Sequence, residues 1–442
     1  MRLLWILLVI LAGSVAGFLF TRFEGDAPVI QTLTAPVAIG KEHVHSFRVT
    51  DEGTGVERVR VWLVAGGKRQ ELADDLYPGN FFLGADLPIE RQIEVTLRPA
   101  DLGLADGPAE LVAEARDYSW RGNVSTVSVP LRIDMRPPRV TVLTGLTYAR
   151  RGGSELATYQ TDESTVRDGV QVGQTFFPGF VHPQVPDRRL AFFALPASSG
   201  PIPRPAVVAE DQAGNRTRVE LDLQVIERSF PSDEIHLSRS FIARKFAELV
   251  GGDPGADLAA AYLQINREMR QRNAEQIREI CAHSGGERLW TESFLQLPNS
   301  RVGARFGERR TYRYEEKVID REVHLGYDLA STSHAVVPAA NDGVVVFAGP
   351  LGIYGNVVVL DHGLGLFSLY GHLSQIGAEK GSPVARGDPI GHTGQTGLAG
   401  GDHLHFSMLV DGHFVDPLEW FDARWIREHL ESDLAAPASA PS

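Results

Sequence analysis

Five residues toward the C-terminal end of the chain could together hold and use a metal ion: His324, Asp328, His372, His403 and His405. The region is rich in imidazole. Eight of the 14 histidines (324, 334, 362, 372, 392, 403, 405 and 413) fall between 324 and 413, where an even spread would put about three. Zinc takes imidazole nitrogen and carboxylate oxygen, and a catalytic site keeps one of its four positions open for water. His324 and Asp328 would supply one nitrogen and one oxygen from a short segment, with Gly326 between them to let the backbone bend. His403 and His405 stand two apart, just before a strand-like Phe406-Ser-Met-Leu-Val, and residues two apart on a strand share a face. One of the pair can bind the metal while the other stands over the water. His372 ends the strand-like run Leu366-Phe-Ser-Leu-Tyr-Gly and is a second base or a transition-state donor. Coordination lowers the pKa of water from about 15.7 to near 7, and a neutral imidazole is suited to move that proton on. The arrangement therefore implies metal-assisted hydrolysis.

The chain contains its own control. His43-Val-His45 is the same pair without a partner motif, and it reads as a solvated strand edge. The specificity lies in the ordered combination with glycine-rich turns between strands. His362, in Asp-His-Gly, reads as a structural residue at a hairpin turn. His334, His392 and His413 sit in turn-like text and would at most line a groove.

His324-x-x-x-Asp328, then Tyr370-Gly-His372-Leu373, then His403-Leu-His405-Phe406 resembles the zinc endopeptidases of the LytM/lysostaphin type, peptidase family M23. The intervening text agrees: Asp342-Gly343 through Gly349, Gly355-Asn356 through Asp361-His362-Gly363, Gly387-Asp388-Pro-Ile-Gly391, and Thr393-Gly394. The resemblance covers 296–421, under a third of the chain. It implies that His324, Asp328 and His405 are zinc ligands, that His372 and His403 are catalytic, and that the bond cut is a peptide cross-link of peptidoglycan. It also implies that a tyrosine upstream of the first ligand stabilises the oxyanion. Tyr312 and Tyr314 both qualify, and Asn356 and His362 are further residues to consider for oxyanion or substrate contact. The family usually places Pro before the His-x-His. Here Asp402 follows Gly400-Gly401, either tuning His403 or capping a turn. The rival reading is a non-catalytic LytM-type regulator that binds and activates other wall hydrolases. Such relatives typically lack one or more ligands, whereas this chain retains them all. A third reading makes the upstream β modules an adhesin.

The rest of the chain must place such a site. At 442 residues, two to four domains are expected. The net charge of −13 argues against a nucleic-acid partner or attraction to an anionic membrane surface. The single cysteine, Cys281, excludes an intrachain disulfide framework and a cysteine-rich zinc site. Leu3 to Phe20 carries no charge and, as a helix of about 1.5 Å per residue, just reaches across a hydrocarbon core. Phe18-Leu-Phe20 follows the weak cleavage-site text Ser14-Val-Ala16, so residues 1–24 read as a retained anchor rather than a cleaved signal. The remainder would face the periplasm or cell exterior from the cytoplasmic membrane.

The expected fold is mainly β and multidomain: a transmembrane helix, two β-sandwich modules over 27–135 and 136–228, a helical hairpin over 232–285, and an antiparallel-β catalytic domain. Alternation at Arg58-Val-Arg-Val61 and closely spaced Pro and Gly support the sandwiches. They contain a repeat. Ala115-Arg-Asp117 through Gly122-Asn123 is echoed by Ala209-Glu-Asp211 through Gly214-Asn215, and an alternating strand follows each. This resembles, loosely, bacterial immunoglobulin-like modules meeting at Pro137-Pro138. They read as a spacer, with binding of an envelope partner as the functional alternative. The Asp/Gly/Asn loop reads as a turn rather than a calcium site. In the hairpin, Ile242, Phe246, Leu249 and Val250 share a helical face, and so do Leu258, Tyr262, Ile265 and Met269. The hairpin is a linker or a lid over the groove. Residues 432–442 read as a disordered tail.

Overall fold

Residues Arg2–Arg22 form one helix whose leucine, isoleucine and valine side chains from Leu4 to Leu19 stand exposed. It is long and apolar enough to cross a membrane. The computed structural model describes residues 2–34, 36–80, 82–85 and 90–434. It divides into two compact units, the first mainly 1–138 and the second mainly 139–442.

In the first unit, alternation builds two antiparallel sheets. One holds Val29–Thr32, His43–Thr50 and Glu90–Leu97; the other is centred on Gly107–Asp117, between Val56–Ala65 and Val124–Ile133. Val59, Val61 and Leu63 point inward with Phe47, Ile93 and Leu111, while Arg58 and Arg60 pair outward with Asp74 and Glu114. His45 corrects the expectation of a solvated edge. It lies on the middle strand of its sheet, fully buried, with its ring nitrogens bonded to Thr32 Oγ1 (2.9 Å) and Thr34 Oγ1 (3.2 Å). Burial, aided by neighbouring His43, lowers its pKa to about 4. The repeated loop has one construction in both copies. Asp117 accepts from the amide and side chain of Asn123 (2.9 and 2.8 Å), and Asp211 does the same for Asn215 (2.9 and 2.9 Å).

The early part of the second unit pairs strands Ser154–Thr161 and Arg189–Ala194, and Arg167–Val172 and Thr175–Pro178, each antiparallel. Phe192 from this part packs 5.8 Å from Trp420 of the C-terminal part, in one core with Trp290, Tyr370 and Phe406. The Trp420 indole donates to Ser154 Oγ (3.1 Å), and the Ser154 amide donates to Glu419 (3.0 Å). Buried aromatics of this size are each worth about 1.5–3 kcal/mol. The Ser154–Thr161 and Arg189–Ala194 strands are therefore fastened to the C-terminal part of the same unit.

The span expected to be a helical hairpin opens differently. Ser232–His236 is a strand, parallel to Arg309–Tyr314. The first helix, Arg239–Leu249, starts only after Ser238, whose side chain caps the Phe241 amide (3.1 Å). The second runs from Leu258 through a π-helical turn to Ile280. The C-terminal sheet runs in the order Arg301–Ala304, Tyr327–Ala330, Leu404–Val410, Leu366–Leu373, Asn356–Asp361, Gly343–Pro350, Pro383–Val384, with antiparallel neighbours. Of the expected tail, Ser432–Leu434 form a helical turn with Leu434 buried, and 435–442 lie outside the described residues.

Candidate metal centre and groove

Register brings the polar residues together. Asp328 pairs directly with His405 across the Tyr327–Ala330 and Leu404–Val410 strands, and Gly371 pairs with His405 on its other side. His324 reaches the same point from the loop that precedes the Tyr327–Ala330 strand. Its Nε2 lies 3.0 Å from Asp328 Oδ1 and 3.1 Å from His405 Nδ1, and His405 Nδ1 lies 3.0 Å from Asp328 Oδ1.

The surroundings decide which nitrogens carry protons. His324 Nδ1 meets the Arg305 carbonyl at 3.0 Å, so Nδ1 donates and Nε2 presents a lone pair. Ser407 Oγ donates to the Leu325 carbonyl (2.8 Å) and so must accept from His405 Nε2 (3.0 Å), which leaves a lone pair on Nδ1. Two lone pairs and a carboxylate oxygen thus converge with no proton between them. That arrangement suits a cation. Donors on a tetrahedron with bonds of ~2.0–2.1 Å lie about 3.3 Å apart, close to the spacing seen. The donor set is of the kind that zinc takes.

Asp328 stays ionised. Its other oxygen accepts from Arg310 Nη2 at 2.8 Å, and Arg310 Nε is held by Glu308 (3.0 Å). This outer clamp was not anticipated from sequence.

Gly326 is needed for a different reason from the one spacing suggested. Its φ is not in the left-handed region. Instead, a methyl group there would come within 2.6 Å of Phe406 O and Ser407 Oγ and 2.8 Å of a His405 ring carbon. Gly326→Ala is expected to push the His324–Asp328 segment off His405, cost about 1–3 kcal/mol of stability and weaken metal uptake. Thermal melting and metal titration of the variant check both.

The other two histidines stand beside the donors. His403 Nδ1 bonds the Gly401 carbonyl (2.8 Å), and Nε2 lies 3.4 Å from Asp328 Oδ1. His372 Nδ1 bonds the Thr396 carbonyl (2.8 Å), and its ring lies 4.8 Å from that of His403 and 5.7 Å from that of His405. His372 has a φ of 61°, which a non-glycine residue rarely adopts and which marks strain held in place by its surroundings. Burial, then the charges of His403 and His405, keep its pKa well below the usual imidazole value.

A cavity of about 380 Å³ opens over these groups. Tyr312 lines it and Tyr314 does not; Tyr354, unanticipated, also lines it, 5.5 Å from the His405 ring. Phe241, Tyr262 and Arg270 of the two helices form part of its wall. The structure does not bring His362 or Asn356 there. His362 is fully buried between the Asp342 carbonyl (2.6 Å) and Ser368 Oγ (2.7 Å), and burial lowers its pKa to about 4. Asn356 donates to the Leu373 carbonyl (3.0 Å). Asp402 takes the capping role: it accepts from Thr393 Oγ1 (2.6 Å) and from the His334 amide (3.2 Å).

The sheet thus carries a histidine/aspartate/histidine donor set, two further imidazoles and an open groove. Residues 322–417 match peptidase family M23, and the C-terminal part of the chain is an M23 peptidase domain. The chain is similar to DD-carboxypeptidase/endopeptidase Mpg of Neisseria meningitidis, 36% identical over 28% of this chain and 27% of that protein. It is similar to peptidoglycan DD-endopeptidase ShyA of Vibrio cholerae, 30% identical over 36% of this chain and 34% of that one. It is also similar to murein hydrolase activator EnvC of Escherichia coli, 31% identical over 37% of this chain and 41% of that one. The chain thus spans between about a quarter and two fifths of the length of these relatives.

Proposed function

We propose that this protein is a zinc-dependent endopeptidase that hydrolyses peptide cross-links of peptidoglycan, held at the cytoplasmic membrane by its N-terminal helix with the peptidase domain outside. The observation that carries this reading is the convergence of His324 Nε2, Asp328 Oδ1 and His405 Nδ1 within 3.1 Å, with both imidazole tautomers fixed by outer hydrogen bonds. The endopeptidase relatives supply the substrate class.

A zinc ion held by these three residues supplies a Lewis acid that polarises a carbonyl and acidifies water. The chain does the rest. His403, anchored through Nδ1, has Nε2 at the edge of the donor set, where it takes a proton and returns it to the leaving amine. His372, anchored to Thr396, offers Nε2 to the groove and stabilises charge developing on the scissile carbonyl oxygen. Of the two expected tyrosines Tyr312 lines the cavity, which supports it as a donor to the same oxygen. Arg310 is a positioning residue: it fixes the Asp328 carboxylate by one oxygen and leaves the other to the ion. The groove on an antiparallel sheet suits an extended peptide. The upstream β modules are read as a spacer, with binding of an envelope partner as the alternative.

The similarity to EnvC supports a second reading, a regulator that activates other wall hydrolases. Digestion of purified sacculi separates the two. The zinc-loaded protein alone is expected to convert cross-linked muropeptides to uncross-linked ones by mass spectrometry, and chelator to stop it. Sacculi left intact by the protein alone, but digested faster by an added hydrolase in its presence, would establish the regulator.

A further inference from the structure

Three carboxylates meet at one end of the first unit, in a place the peptidase chemistry does not use. Glu24 lies two residues beyond the N-terminal helix, Asp51 follows the His43–Thr50 strand, and Asp117 ends the Gly107–Asp117 strand. One carboxylate oxygen from each lies within 4.8 Å of the other two. Asp117 is fully buried and Asp51 is 7% exposed.

Their hydrogen bonds come from neutral donors. Asp117 accepts from Ser119 (amide and Oγ) and from Asn123 (amide and Nδ2). Glu24 Oε1 accepts from the Thr54 amide (2.6 Å). Asp51 Oδ1 accepts from the amides of Gly53 (2.8 Å) and Gly55 (3.2 Å). Nearby, the Arg22 guanidinium donates to the Tyr118 carbonyl (2.7 Å). Asp51 Oδ2 is the exception: it is buried with no hydrogen-bond partner, as is Thr54 Oγ1. A buried carboxylate oxygen left in this state costs free energy unless something positive meets it. Burial raises the Asp51 pKa, its two amide bonds pull it down, and the charges of Glu24 and Asp117 raise it again, so both neighbours act on it directly. Among the described residues, Asp211 of the second copy of the loop joins no such group.

We propose that Glu24, Asp51 and Asp117 form a binding site for a hard divalent cation of the calcium class, which ties the segment leaving the N-terminal helix to the first β module. An all-oxygen donor set selects a hard cation. Calcium accepts oxygens in a flexible geometry, whereas magnesium demands a near-ideal octahedron, which three separate segments are less suited to supply. The turn role of Asp117 is kept: the ion takes what the Asn123 bonds leave over.

The test uses the zinc-loaded full chain in detergent, freed of calcium and titrated with calcium chloride in a calorimeter, with thermal melting in parallel. One calcium per chain is expected, with Kd about 10⁻⁴–10⁻³ M, a raised melting temperature and a smaller response to magnesium. Asp51→Asn keeps the acceptor for Gly53 and Gly55. It is expected to bind calcium at least tenfold more weakly and, without calcium, to melt no lower than the unaltered chain. Glu24→Gln, at a more exposed position, is expected to weaken binding too and decides the matter if Asp51→Asn does not fold. Absence of heat and of any melting shift at about 10 mM calcium, or variants that bind as the unaltered chain does, would overturn the proposal.

Discussion

His405→Ala is expected to take the zinc content from one ion per chain to none and wall-peptide cleavage to background, while the fold survives. His405 is the donor that joins the two segments of the site: it lies 3.0 Å from Asp328 Oδ1 and 3.1 Å from His324 Nε2, and it is 5% exposed. Loss of an outer-shell partner typically costs about 10–100-fold in metal affinity, and loss of a direct donor must cost more. The fold should tolerate the change because the residue taken away is a neutral imidazole. Ser407 keeps its bond to the Leu325 carbonyl, and Asp328 keeps Arg310. Substituting Asp328 itself would be a poorer experiment, since it would also take the partner of Arg310 Nη2 and leave that guanidinium only Glu308. Metal analysis of the purified variant beside circular dichroism reads the outcome. A variant that retains stoichiometric zinc would show that the ion is held elsewhere.

His403→Ala is expected to lower kcat by about 10²–10⁴-fold, the usual worth of a positioned acid–base group, with zinc still bound. The two effects separate because His403 is anchored outside the donor set. Its Nδ1 is taken by the Gly401 carbonyl, and its Nε2 stands 3.4 Å from Asp328 Oδ1 as a neighbour of the donors. His372→Ala should behave alike, since the Thr396 carbonyl holds that ring in the same manner. Turnover of a cross-linked muropeptide, measured together with zinc content, distinguishes this from ligand loss. If both variants cleave at the unaltered rate, the assignment of proton transfer to these histidines is wrong even with zinc in place.

Much of the site was legible because a strand repeats every two residues. His403, His405 and then Ser407 continue one face, and the serine that sets the His405 tautomer could have been read from the same spacing. Arg310 could not. It lies 18 residues before Asp328 on the Arg309–Tyr314 strand, and nothing in its neighbourhood marks it as a partner of that aspartate. The two tyrosines illustrate how local pattern fails. Spaced by two, Tyr312 and Tyr314 should share a face. Both do pack against one apolar cluster, yet only Tyr312 lines the cavity, because spacing along a strand does not say how far a groove extends. His45 was misread because its partners, Thr32 and Thr34, lie on a neighbouring stretch that only the fold brings near. Ser232–His236 reads as part of the helical span because its parallel partner stands some 77 residues later in the chain, beyond any local signal.

X-ray absorption at the zinc edge of the metal-loaded full chain tests the central claim most directly. The account predicts one zinc with four light donors at ~2.0–2.1 Å: two imidazoles, one carboxylate and an exchangeable solvent position that a small anion can displace. A shell with four imidazoles, closed by His372 and His403 and indifferent to added anion, would contradict it.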